Sequence, residues 1–145
     1  MTDLDEALLG KLVAEARRAR KNAYAPYSNY RVGAALATES GKIFAGCNVE
    51  NASYGATICA ERNAILHMIA AGESKPKAIV IVTGGDKPAP PCGMCRQVLV
   101  EFVRDMPVVL IGESDAGDVR RDLELGTLMP EVFELEPERE PGTRP

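Results

Sequence analysis

The chain has 145 residues and a formal net charge of -4; 46% of its residues are hydrophobic and 26% are charged. That length suits one domain able to bury a proper core, and the acidic balance argues against a general nucleic-acid binder, which needs basic surface to neutralise phosphates. No apolar run approaches the ~20 residues of a membrane span, and Asp3, Asp5 and Glu6 stand where a secretory leader is basic, so a cytoplasmic protein with no membrane partner is expected.

Thr2 or Asp3 can cap a first helix, with Asp5 and Glu6 near its positive end. Leu8, Leu12, Ala16, Ala19 and Ala23 recur at helical spacing and form its packing face. Arg17, Arg18, Arg20 and Lys21 read as a solvated face rather than a phosphate site, and Pro26 ends the helix. Residues 30–38 are small and β-tolerant, residues 39–42 make a turn, and residues 43–50 return as the second strand of a hairpin. Residues 59–71 read as a helix, with Ala60, Ile65, Met68 and Ile69 facing the core and Gly72 just past its end.

The apolar, β-branched run of residues 78–83, AIVIVT, is expected to be a buried strand. A Gly/Pro-rich loop over 84–91 then feeds a third helix at 93–103, and residues 107–112, PVVLIG, form another buried strand. Residues 119–133 are expected to hold one more strand and a short helical turn stopped by Pro130. Two strand–helix–strand crossovers imply an α/β domain over residues 1–133: a three-layer α/β/α arrangement with a mixed central sheet of about five strands. Residues 134–145 are charged, Pro-rich and without periodicity, and are expected to be a disordered tail.

The four cysteines, Cys47, Cys59, Cys92 and Cys95, are too few and too unevenly spread for a disulfide scaffold. Cys92 and Cys95 are three apart at the start of a helix, so both sulfurs can reach one point, and Cys59 offers a third from another helix start. Three thiolates make three corners of a zinc tetrahedron and leave the fourth open. Helix N-termini favour thiolates. Arg62 and Arg96, which directly follow the two motifs, are candidates to offset the excess negative charge by hydrogen bonding to sulfur. Glu61 lies off the face of Cys59, which makes it an unsuitable fourth ligand but a suitable proton carrier over the open position.

Residues 48–102, NVENASYGATICAERNA…PPCGMCRQVLVEF, closely resemble the small homotetrameric zinc-dependent cytidine deaminases, and residues 24–36, YAPYSNYRVGAAL, match the same family. The resemblance covers most of the chain up to Phe133. It implies a cytidine deaminase-like fold and a hydrolase of pyrimidine salvage that converts cytidine and deoxycytidine to the uracil nucleosides. Cys59, Cys92 and Cys95 would hold one zinc per subunit. Glu61 would shuttle protons to ring N3 and to the departing amine while hydroxide attacks C4 of cytosine. Asn48 and Glu50 would bind the ribose hydroxyls, in keeping with their alternate spacing on a strand, and the Ala60 backbone would read the base. Ala52, Tyr54 and Phe133 would complete a neighbouring subunit's pocket in a homotetramer with shared active sites. The chain departs from the family at Tyr30, where phenylalanine usually stacks near the base, and at residues 128–133, which match the family ending only loosely.

Other readings stand beside this one. A related zinc deaminase acting on an aminonucleoside such as blasticidin S, or on a free base, shares the same Cys-x-Glu and Pro-Cys-x-x-Cys skeleton. A non-enzymatic zinc module is the alternative from another class, and Glu61 discriminates, because a module has no use for it. Cys47 reads as a small buried strand residue, and His67, two helical turns beyond Cys59, as a structural histidine. Tyr24 and Tyr27 read as packing residues.

Overall fold

The apolar run through the middle of the chain requires cover on both faces, and two separate cores supply it. The computed structural model describes residues 4–135. Its elements are α1 (Glu6–Lys21), β1 (Val32–Thr38), β2 (Ile43–Cys47), a 3-10 turn (Tyr54–Ala56), α2 (Ala60–Ala70), β3 (Pro76–Gly84), α3 (Gly93–Phe102), β4 (Pro107–Glu113), β5 (Val119–Glu124) and α4 (Leu125–Leu128). The five strands lie in the order β2-β1-β3-β4-β5. β1 is antiparallel to β2 and to β3, β3 and β4 are parallel, and β5 closes the edge antiparallel to β4. The sheet is therefore mixed, as expected, and both crossovers form: α2 carries the chain from β2 over β1 to β3, and α3 carries it from β3 to β4.

Strand alternation sorts the side chains. Ala34, Leu36, Ile79, Ile81, Val108 and Leu110 pack with Ala60, Ala64, Ile65, Met68 and Leu99 of α2 and α3. The intervening residues Ala35, Ala37, Val80, Val82 and Val109 pack on the other side with Leu9, Leu12 and Ala16 of α1. The result is three layers.

Several expectations need correcting. Asp5 caps α1 by accepting from the Ala7 N–H at 3.2 Å, whereas Thr2 and Asp3 lie outside the described residues. The helix stops at Lys21, before Pro26, with Asn22 as its C-cap. Leu9 replaces Leu8 on the buried face. The basic face of α1 is not simply solvated: Arg17 Nε meets Glu113 Oε1 at 2.7 Å and Arg20 Nη1 meets Glu113 Oε2 at 2.6 Å, which ties α1 to the end of β4. Ile69 is 42% exposed and Leu66 54%, because the buried stripe of α2 runs through Ala60, Glu61, Ala64, Ile65 and Met68. β2 ends at Cys47, where the chain leaves the sheet; Val49 then forms isolated bridges to Tyr24 and Ile58. Most of the expected tail, residues 136–145, lies outside the described residues.

Gly46 sets how closely α2 approaches the sheet. A Cβ there would sit 2.5 Å from the Ala64 N and 2.7 Å from the Ala60 O. Gly46→Ala therefore forces the start of α2 away from β2. We expect it to cost about 1–3 kcal/mol of stability by overpacking, measured by chemical denaturation; an unchanged midpoint would show that the helix shifts freely.

Candidate metal centre and its pocket

β2, β3 and β4 all run in one direction, so α2 and α3 both begin at the carboxyl edge of the sheet, where ligands bind in open α/β folds. Cys59 is the N-cap of α2 and Cys92 the N-cap of α3. Neither sulfur caps its own helix, so both are available to face the space between the helix ends. Cys95, in the first turn of α3, is buried beneath them. The three Sγ atoms lie within 4.8 Å of one another, with Cys59 and Cys92 3.8 Å apart. Tetrahedral zinc with Zn–S bonds of about 2.3 Å requires sulfurs about 3.8 Å apart, so the donor set fits zinc in kind and in spacing. Cys47 does not join this cluster, and burial pushes its thiol up.

The electrostatics of the cluster follow from its crowding. The hydrogen bond from Cys95 pulls Cys59 down to about 5, with further help from Arg62 and Cys92. Cys95 moves the other way, first through that same hydrogen bond and then through burial. A bound divalent cation removes the competition and allows all three to be thiolates. Arg62 Nη2 lies 3.7 Å from Cys59 Sγ and donates to the Thr57 carbonyl at 3.4 Å. Arg96 does not reach sulfur: Nε donates to the Pro91 carbonyl at 2.8 Å and Nη1 to the Leu128 carbonyl at 3.2 Å. One residue past Cys95 is a turn of about 100° around the helix, which aims Arg96 at α4. It braces the Cys92 loop instead of neutralising the cluster.

Glu61 is 6% exposed. Burial pushes its carboxyl up, and the negative charge of Cys59 adds to the effect. It lines a pocket of about 180 Å³ together with Cys59, Ala60, Cys92, Tyr30 and Asn48. Asn48 is buried, donating through Nδ2 to the Tyr30 carbonyl at 2.7 Å and accepting at Oδ1 from the Val32 N–H at 2.9 Å. Glu50 stands outside this pocket, where Oε1 accepts from the Tyr27 and Ser28 N–H groups; hydrogen bonding from the Ser28 side chain foremost, and then from these N–H groups, holds its carboxyl low. The alternation expected for Asn48 and Glu50 on one strand does not carry over, because β2 ends at Cys47 and only Asn48 of the two lines the pocket.

Ala52 and Tyr54 sit on the exposed loop before α2, and the Tyr54 ring meets Tyr27 edge-on at 6.2 Å. Phe133 is 75% exposed and borders a different depression, beside Gln97 and Arg104. Within one chain, these three do not reach the pocket. His67 is away from it as well, with Nδ1 at 3.3 Å from the Ala45 carbonyl and its ring edge-on to Phe44.

Sequence reading missed Val32, Thr57, Ile81, Thr83, Ala89 and Pro90, which also line the pocket. The available signal was positional: Ile81 and Thr83 end the central strand at its carboxyl edge, and Ala89 and Pro90 belong to the loop that follows.

Comparison with known proteins agrees with this geometry. Residues 7–111 match the family model of the cytidine and deoxycytidylate deaminase zinc-binding region. The chain is 43% identical over 127 residues to a cytidine deaminase of Sporosarcina psychrophila, covering 87% of this chain and 91% of that protein. It is 42% identical over 125 residues to the cytidine deaminase of Halalkalibacterium halodurans, covering 86% and 93%. The crystal structure of cytidine deaminase from Burkholderia pseudomallei superposes with a TM-score of 0.79 at 44% identity, over 92% of this chain and all of that one.

The contrast between the two arginines gives a direct test. Arg62→Ala should weaken zinc binding by about 10–100-fold, the usual cost of losing a partner of a metal ligand, and chelator competition would measure it. Arg96→Ala removes no sulfur contact and should weaken binding less; equal losses would refute the charge-offset role of Arg62.

Proposed function

Because this chain belongs to the cytidine and deoxycytidylate deaminase family, we propose that it hydrolyses the C4–amine bond of cytidine and deoxycytidine, releasing ammonia. The observation that carries this reading is a buried carboxylate, Glu61, in the wall of the same pocket as Cys59 and Cys92, whose sulfurs converge with that of the buried Cys95. The relatives named above are cytidine deaminases matched over most of both chains. None of them points to a blasticidin-type substrate or to a zinc module without activity.

Cys59, Cys92 and Cys95 hold zinc in this reading, and zinc when bound supplies a water acidified to near neutral pH as the nucleophile. The remaining work belongs to the chain. Glu61 takes the proton of the attacking water and passes it to ring N3 as C4 becomes tetrahedral. It then moves the second proton to the amine, which leaves as ammonia while the C4 carbonyl forms. One water is consumed and one ammonia released. Burial suits Glu61 to this task, because desolvation raises a carboxyl toward the range where it both accepts and returns a proton.

The Ala60 N–H, left free at the start of α2, reads the base carbonyl in this proposal. Tyr30, which lines the same pocket, contributes to binding the base. Asn48 and Glu50 bind ribose hydroxyls while bracing the segment that carries Tyr30. Ala52, Tyr54 and Phe133 complete a neighbour's pocket in a homotetramer, a role in keeping with the 78% exposure of Tyr54 and the 75% exposure of Phe133. The enzyme serves pyrimidine salvage in the cytoplasm; among the described residues no helix is long and apolar enough to cross a membrane.

Ammonia release from cytidine by zinc-loaded protein tests the reaction. Glu61→Gln should lower turnover by about 10²–10⁴-fold while zinc content stays at one per chain; retained turnover, or loss of the metal with the activity, would sink the proton-shuttle role. Light scattering should give four chain masses for the active species, and a fully active monomer would remove the shared pocket.

A further inference from the structure

Thr83, near the end of β3, is 1% exposed, and its Oγ1 has no hydrogen-bond partner among the described residues. A hydroxyl withdrawn from water without a replacement partner is uncommon and costly. Its neighbours across the sheet offer none: it lies between Val32 of β1 and Gly112 of β4, one apolar and the other without a side chain. Packing alone does not call for threonine here. The residues before it, AIVIV, are all apolar, and valine fills the same shape without a hydroxyl.

The position of Thr83 accounts for it. Alternation along β3 puts it on the face of Ile79 and Ile81, toward α2 and α3, and it lines the same pocket as Glu61 and Cys92. Most other polar side chains of that pocket are engaged. Asn48 bonds Tyr30 and Val32, Thr57 Oγ1 accepts from the Asn51 N–H, and Glu61 is assigned to proton transfer. Thr83 is buried and lines the pocket with the apolar residues Val32 and Ile81, and apolar walls suit a flat base more than a polyhydroxyl ribose.

We propose that Thr83 is a substrate-binding residue whose hydroxyl pairs with the polar edge of the pyrimidine ring, a bond completed only when the pocket is filled. The inference rests on the nucleoside reading above. Strand residues adopt more than one staggered χ1 state, so a single rotation exchanges Oγ1 and Cγ2 at the pocket wall and brings the hydroxyl to the ligand.

Steady-state kinetics with cytidine on zinc-loaded wild type, Thr83→Val and Thr83→Ser test it, with thermal unfolding of each protein measured without ligand. Thr83→Val should raise KM about five- to tenfold, the loss of one hydrogen bond, with kcat moved less than about twofold. Its unfolding temperature should be no lower than that of wild type, since the lost hydroxyl had no partner in the free protein. Thr83→Ser should restore KM to within about twofold. An unchanged KM in Thr83→Val, or a loss confined to kcat, overturns the inference. So does a KM rise accompanied by a lower unfolding temperature and not rescued by serine, which marks a packing role. Wild-type protein that releases no ammonia from cytidine overturns the nucleoside reading itself, and this inference with it.

Discussion

Two helices begin at one edge of one sheet and direct their positive ends at a shared space. Strand direction produces this. Because β1 is antiparallel to both β2 and β3, those two run parallel, and β4 follows β3. Each crossover must then start its helix at the same edge, and the residue just before each helix is a cysteine. Amide groups at the helix starts favour thiolates there, and three sulfurs come within 4.8 Å. The pocket, the buried carboxylate and the arginine beside the cluster are all arranged around that convergence.

Close approach makes it possible. Gly46 lets the backbone of α2 lie almost against β2, and Gly33 does the same for α1 on the opposite layer, where a Cβ would stand 2.0 Å from the Ala16 carbonyl. Arg17 and Arg20 share the Glu113 carboxylate and fasten α1 to the end of β4. These pairs are partly exposed, so they set position more than they add stability. The stability lies in the two apolar cores on either side of the sheet.

The pocket itself mixes commitments already made with one left open. Asn48 spends its amide on the backbone around Tyr30, and Glu50 holds the Tyr27–Ser28 turn. Both therefore shape the free protein before any ligand arrives, a form of pre-organisation that lowers the cost of binding. Thr83 stands apart as a buried hydroxyl with no partner among the described residues.

The sequence by itself determined the class of the fold, and it singled out three cysteines as candidate metal ligands and Glu61 as the candidate proton carrier. Residue patterning placed the first four strands and the first three helices to within a few residues, since buried strands and amphipathic helices leave recognisable patterns, whereas residues 119–133 yielded only one strand and one helical turn without bounds. Cysteines at two helix starts, two of them three residues apart, named the candidate ligands, because those patterns are local. Only the tertiary structure decided what depends on packing between distant segments. It showed that Ile69 faces outward while Glu61 faces inward, that Arg62 meets sulfur while Arg96 meets carbonyl groups, and that Glu113 anchors α1. It also placed Ile81, Thr83 and Pro90 in the pocket. The pocket residues left at most a positional signal, at the end of the central strand and in the loop after it, and the rest left none; each is fixed by which strand lies beside which and how closely a helix can approach, and those are properties of the assembled sheet.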